Sequence, residues 1–188
     1  MEFLKCSPRW TRQPKQVQVG EDKVEIITER GTDLWARTYY GFQNDNAPVF
    51  QIETSEPFFS FVVKTAFESS CRFDQCGVVM YLDSDNWFKA SIEYEDDKIQ
   101  RLGSVVTNHG YSDWATTDIS SDVKSMWYRF SRRDSDYCIE CSEDGTEYRV
   151  ADSVIRGDVE LTKIDKNTQR PIAGVPFRIT SKTTKESH

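Results

Sequence analysis

The sequence predicts an all-β protein whose strands pair antiparallel into a two-sheet sandwich. Three observations predict it. Short runs rich in β-branched and aromatic residues recur through the first 155 positions, among them "FFSFVVKTAF", "GVVMYL", "WFKASIEY" and "MWYRFSRR". Turn signals separate these runs, and no stretch sustains the i, i+3, i+4 apolar spacing of a long helix. Hydrophobic residues make up 37% of the chain, with 11 Phe, 8 Tyr and 5 Trp, a supply of large apolar groups that builds a core and argues against disorder.

Taken in order, "KVEIITE" and "LWARTYYGF" open the series as alternating strands, and "FFSFVVKTAF" follows. "GVVMYL" and "WFKASIEY" are joined through "DSDN" (Asp83 to Asn86), and "EDDK" (Glu95 to Lys98) turns the chain into the strand containing "GSVVTN". His109 and Gly110 then form a surface loop, since Gly at such a point permits a tight turn. Any helix is short and is expected near Asp118 to Lys124. The strands "MWYRFSRR", "YCIECS" and "EYRVADSV" complete the run, with Gly145 of "EDG" supplying positive φ in a hairpin.

Beyond Ile155 the text changes character, because the remaining residues carry no Trp, Tyr or Cys. A boundary is expected at Arg156 and Gly157, dividing a unit over 1–155 from a second over 157–188. In the second, "VELTKI" and "VPFRIT" alternate as two strands, placing Val175, Phe177 and Ile179 on one face. Two strands alone do not make a stable unit.

Acidic residues outnumber basic ones, 31 to 24, for a formal charge of −7. That balance offers no basic stripe, so nucleic acid and an anionic membrane surface are not expected as partners. No apolar run reaches the length of a membrane span, and the opening "MEFLKCSPRWTRQPK" lacks the apolar segment of a secretory signal. Five scattered cysteines, an odd number, suit a reducing compartment, and together these features favour a cytoplasmic setting. Cys138 and Cys141 form a C-x-x-C with no second pair and no nearby His, so no metal or other cofactor is expected and the two thiols are assigned to opposite faces of one strand.

The words "GTDLWARTYYGF", "FDQCGVVMYLDSDNWFKASIEYEDD", "VVTNHGYSDWATTD" and "YCIECSEDGTEYRV" resemble, in the same order, the microbial family domain of unknown function 1349. That family sits in the concanavalin A-like superfamily with the fungal regulation of enolase protein 1. The resemblance implies a concanavalin A-like β-sandwich, or jelly roll. Members usually continue past the position of Tyr148 with further strands that this chain does not reproduce, so the sandwich is expected to lack its final strands. Residues 157–180, through "GDVELTKID" and "PIAGVPFRIT", are similar to the opening of a collagen-adhesin B-type repeat, the prealbumin-like domain of Gram-positive pilins. This implies a bacterial source and points to the cell surface, against the cytoplasmic reading. Lys163 stands where such domains place the lysine of an isopeptide bond, and without the partner Asn strand it is expected to be unlinked.

The strand after Asn86 frames the functional question. Alternation puts Phe88, Ala90, Ile92 and Tyr94 on one face and Trp87, Lys89, Ser91 and Glu93 on the other. Tyr81 and Asp83 join the second face across the turn, and Trp35, Arg37, Tyr39 and Trp114 are candidates from other strands or loops. An aromatic ring beside fixed polar groups suits a sugar, whose apolar C–H face stacks while its hydroxyls are bonded. The alternative is a solvated face with Lys89 and Glu93 as an exposed pair and Trp87 half covered. The leading function is a non-catalytic, lectin-like carbohydrate-binding module. Its rival is a structural or protein-interaction domain with an unidentified protein partner. A glycoside hydrolase ranks below both: Glu93 and Glu95, at i and i+2, stand about 7 Å apart, where a retaining pair needs about 5 Å.

Overall fold

The structure, a computed structural model, describes residues 3–155, with the backbone alone over 152–155. The expected boundary at Arg156–Gly157, the two strands after it and Lys163 lie outside the described residues. Contacts divide the described residues into two compact units, one ending at Glu56 and the other beginning at Pro57.

The first unit opens with a 3-10 turn, Phe3–Cys6, followed by six short strands: β1 (Arg9–Arg12), β2 (Gln16–Val19), β3 (Val24–Ile27), β4 (Leu34–Ala36), β5 (Gln43–Asp45) and β6 (Val49–Gln51). They pair antiparallel as β1–β6, β2–β3 and β4–β5, so the first 56 residues make ladders of their own. Trp10 stacks on Phe50 at 4.5 Å, and Phe3 meets the same ring edge-on at 5.6 Å.

The second unit holds β7 (Phe58–Ala66), β8 (Gln75–Asp83), β9 (Asn86–Tyr94), β10 (Ile99–Asn108), β11 (Tyr111–Ser120), β12 (Ser125–Arg133), β13 (Asp136–Ser142) and β14 (Arg149–Ile155). These form two four-stranded antiparallel sheets, ordered β11-β10-β9-β8 and β14-β13-β12-β7. The expected all-β sandwich is therefore present. Its core is one cluster drawn from both sheets, in which Phe88, Ala90, Ile92, Leu102 and Val106 meet Met126, Tyr128, Phe130 and Ile139. Phe88 stacks on Phe130 at 5.2 Å between the sheets. The alternation assigned to β9 holds, since Phe88, Ala90 and Ile92 belong to that core.

The turn chemistry also follows from sequence. His109 and Gly110 take φ values of 48° and 75° in a two-residue hairpin between β10 and β11, the backbone a type I′ turn demands. Gly145 sits at φ 80°, and its amide donates to the Ser142 hydroxyl. The helix expected near Asp118–Lys124 is absent: β11 runs through Ser120, and a turn follows. The buried amide of Gln100 bridges this turn, donating to the carbonyls of Ser120 and Val123 at 2.9 and 2.7 Å. The Val123 amide also donates to the Ser120 carbonyl at 3.2 Å, so one closed turn stands where a short helix was expected.

Candidate functional site

The register of β8 to β11 decides which side chains share a face. Trp87 stands opposite Tyr81 and Thr107, Lys89 opposite Val79 and Val105, and Glu93 opposite Gln75 and Arg101. Val105 in turn faces Trp114. Tyr81, Trp87, Lys89, Glu93 and Trp114 therefore lie on one side of one sheet, the side turned away from the sandwich core. Asp83 does not, because the ladder slips between Tyr81 and Asp83. Its carboxylate instead accepts from the Asp85 amide and the Asn86 side chain, at 2.9 and 2.8 Å, and holds the exposed turn. Trp35, Arg37 and Tyr39 belong to the first unit, on the β4–β5 hairpin.

Burial divides the sheet face into two parts. Trp87 is 3% exposed and Lys89 and Ser91 are 9% exposed, so none of the three is a solvated side chain. Lys89 donates to Gln75 Oε1 at 3.0 Å, and the Ser91 hydroxyl reaches the same oxygen at 3.2 Å. The Lys89 ammonium also stands 5.8 Å from the centre of the Trp87 ring. A buried ammonium needs such partners.

The other part is more open. Trp114, Arg101 and Glu93 are half-buried, and the Arg101 guanidinium stands 5.9 Å from the centre of the Trp114 ring. Trp114 is seated by Gly103: a Cβ there would stand 3.0 Å from Trp114 Nε1 and 2.6 Å from the Ala115 carbonyl. Gly77 plays a related part, since its Cβ would lie 2.0 Å from the Ala90 carbonyl. Gly77, Ser91 and Gly103 pair in register, so small residues cross the middle of the face.

The Glu95 carboxylate is engaged by two arginines. Glu95 lies past the end of β9, with one oxygen on Arg72 and the other 3.3 Å from Arg101 Nε. His109 is exposed at its turn, where its amide donates to Asn86 Oδ1. Cys138 and Cys141 lie on opposite faces of β13, and Cys141 belongs to the core. Burial pushes the Cys76 thiol up, away from thiolate reactivity. Among the described residues no cluster of three His, Cys, Asp or Glu side chains is arranged to hold a metal, and no helix is long and apolar enough to cross a membrane.

Gln75 and Arg101 escaped the reading of β9 alone. Arg101 was within reach of the sequence, because "IQRLGSVV" alternates and a short turn joins it to β9. Gln75 was not, since its place on Lys89 and Ser91 requires the register of β8.

The family described as "Protein of unknown function (DUF1349)" matches residues 10–161. The chain is similar to Regulation of enolase protein 1 of Saccharomyces cerevisiae (strain ATCC 204508 / S288c), 35% identical over 136 residues that cover 72% of this chain and 67% of that protein. It also resembles the crystal structure of a functionally unknown protein from Saccharomyces cerevisiae, with a TM-score of 0.69 and 29% identity over 79% of this chain and 78% of the other.

Proposed function

We propose, from the premise that the chain belongs to the DUF1349 family, that it is a non-catalytic carbohydrate-binding module. One observation carries this reading: the half-buried indole of Trp114, seated on Gly103, stands beside the Arg101 guanidinium, with the Glu93 and Glu95 carboxylates alongside. The exposed part of an indole offers a surface for the C–H face of a sugar ring, and charged groups held by neighbours offer fixed partners for hydroxyls. Pre-paired charges lose little side-chain entropy when a ligand arrives.

The test is calorimetric titration of the full chain with soluble polysaccharides, namely xylan, laminarin and galactomannan. Wild type binds at least one, and Trp114→Ala weakens that binding about tenfold, the effect of losing roughly 1.4 kcal/mol of contact. Trp87→Ala is the wrong probe, because removing a side chain that is 3% exposed disturbs the fold. No binding to any of the three refutes the assignment, and full binding by Trp114→Ala refutes the Trp114 site.

A second reading, a protein-interaction scaffold, is favoured by the opposite sheet. There Phe58, Val62 and Val150, exposed by 64%, 48% and 46%, share the outer face with the Arg129–Glu140 pair. Exposed apolar side chains grouped around a fixed ion pair suit a protein surface. Val62→Lys abolishing capture of a protein partner, with polysaccharide binding unchanged, supports this second surface.

A further inference from the structure

We infer that the tip of the β4–β5 hairpin is a separate sugar-stacking site, built on Tyr39 and braced by Tyr40, Trp35 and Phe42. The inference rests on the carbohydrate reading above but uses a different unit of the chain and different residues. Tyr39 is 93% exposed, Tyr40 57% and Phe42 45%, within four consecutive positions. An exposed cluster of large rings marks an interaction site more often than scattered single residues do.

The rings are not loose. Tyr40 meets Tyr39 edge-on at 5.0 Å and Trp35 edge-on at 5.7 Å, and it stacks on Phe42 at 5.8 Å. Tyr40 is the hub, and Tyr39 is the ring held outermost. The Trp35 indole donates to the Thr38 carbonyl at 3.2 Å, which ties the base of the cluster to the loop.

The backbone beneath is held in an uncommon form. Arg37 and Tyr39 take φ values of 54° and 65°, where side chains larger than Gly rarely sit. Each is the centre of a three-residue turn, closed by Thr38 N–H to the Ala36 carbonyl and by Tyr40 N–H to the Thr38 carbonyl, both at 2.7 Å. Arg37 N–H to the Phe42 carbonyl at 2.7 Å, and Gly41 N–H to the Arg37 carbonyl at 2.8 Å, lock the loop across its base. Strained conformations concentrate where a side chain must be presented, and here the strain turns Tyr39 out of the loop. Preorganised tyrosines lose little freedom on binding, and they offer a ring face and a hydroxyl together. A pyranose, apolar on one face and polar around its rim, is the ligand class that fits.

The test is affinity electrophoresis of the full chain through gels containing xylan, laminarin or galactomannan. Wild type is retarded by at least one of them. Tyr39→Ala weakens that retardation about fivefold, and Tyr39→Phe, which keeps the ring, stays within about twofold of wild type. Because Tyr39 is solvent-exposed, thermal melting of both variants matches wild type. Full retardation of Tyr39→Ala, equal losses in the Phe and Ala variants, or no retardation of wild type overturns the inference. Loss in Trp114→Ala with Tyr39→Ala unaffected overturns the hairpin site alone, and the reverse pattern overturns the Trp114 site alone.

Discussion

Gly103→Ala joins the fold to the candidate site in one methyl group. The added Cβ would lie 2.6 Å from the Ala115 carbonyl oxygen, 2.8 Å from Thr116 Cγ2 and 3.0 Å from Trp114 Nε1. The first of these is backbone in the adjoining strand and moves only if the β10–β11 ladder opens. Overpacking of this kind costs about 1–3 kcal/mol. Against it, replacing Gly by Ala in a strand recovers about 0.5–1 kcal/mol of backbone entropy. The net expectation is a loss between about 0 and 2.5 kcal/mol, about 1.3 kcal/mol at the middle of both ranges, which is a fall in Tm of about 3–5 °C for a chain of this size. Urea unfolding followed by tryptophan fluorescence measures the loss. The same substitution displaces the indole, so polysaccharide binding falls as well. Gly77→Ala, with its Cβ 2.0 Å from the Ala90 carbonyl, should be the more damaging of the two. A Gly103→Ala variant as stable as wild type, or milder damage from Gly77→Ala, refutes the reasoning that backbone approach dictates these glycines.

Tyr128 is fully buried, and its hydroxyl has no hydrogen-bond partner among the described residues, so Tyr128→Phe should raise stability by about 1 kcal/mol in urea unfolding; a comparable loss would show that the hydroxyl is bonded. Trp87→Ala should cost about 3–5 kcal/mol by the same assay, the value for truncating a buried indole, whereas a cost under 1 kcal/mol would mean a surface position. Arg129 donates to both oxygens of Glu140, at 2.7 and 2.8 Å, and holds that carboxyl below its ordinary range. A depressed carboxyl stabilises the fold above its unfolded pKa, near 4.3, and the contribution disappears as pH falls through the lower folded value. Glu140→Gln should therefore narrow the stability difference between neutral and acid pH by about 0.5–1 kcal/mol, as expected for a partly exposed pair; an unchanged acid profile would exclude the ion pair as its source. Asp144 accepts from the amides of Thr146 and Glu147 and the hydroxyl of Ser142, which hold its carboxyl well below the ordinary range, so Asp144→Ala should loosen the β13–β14 turn and speed amide exchange at Thr146 and Glu147.

Much of the second unit was legible because strands write their burial every second residue. Phe88, Ala90 and Ile92 on one face of β9, and Trp87, Lys89 and Glu93 on the other, follow from alternation alone. The turns at His109–Gly110 and Gly145 were legible because few residues tolerate the backbone they need. Trp87 and Lys89 show the limit. Alternation states that they share a face, and is silent on whether that face is wet.

The linear sequence by itself determined the all-β class, the alternation within each strand and the tight turns, since each depends on residues adjacent in the chain. Only the tertiary structure decided that Trp87 and Lys89 are buried, that Gln75 bridges Lys89 and Ser91, and that Gln100 holds the turn where a helix was expected. Each of those outcomes depends on strand register, and register is fixed by partners distant in sequence. A shift of one residue in that pairing would send every one of these side chains to the opposite face.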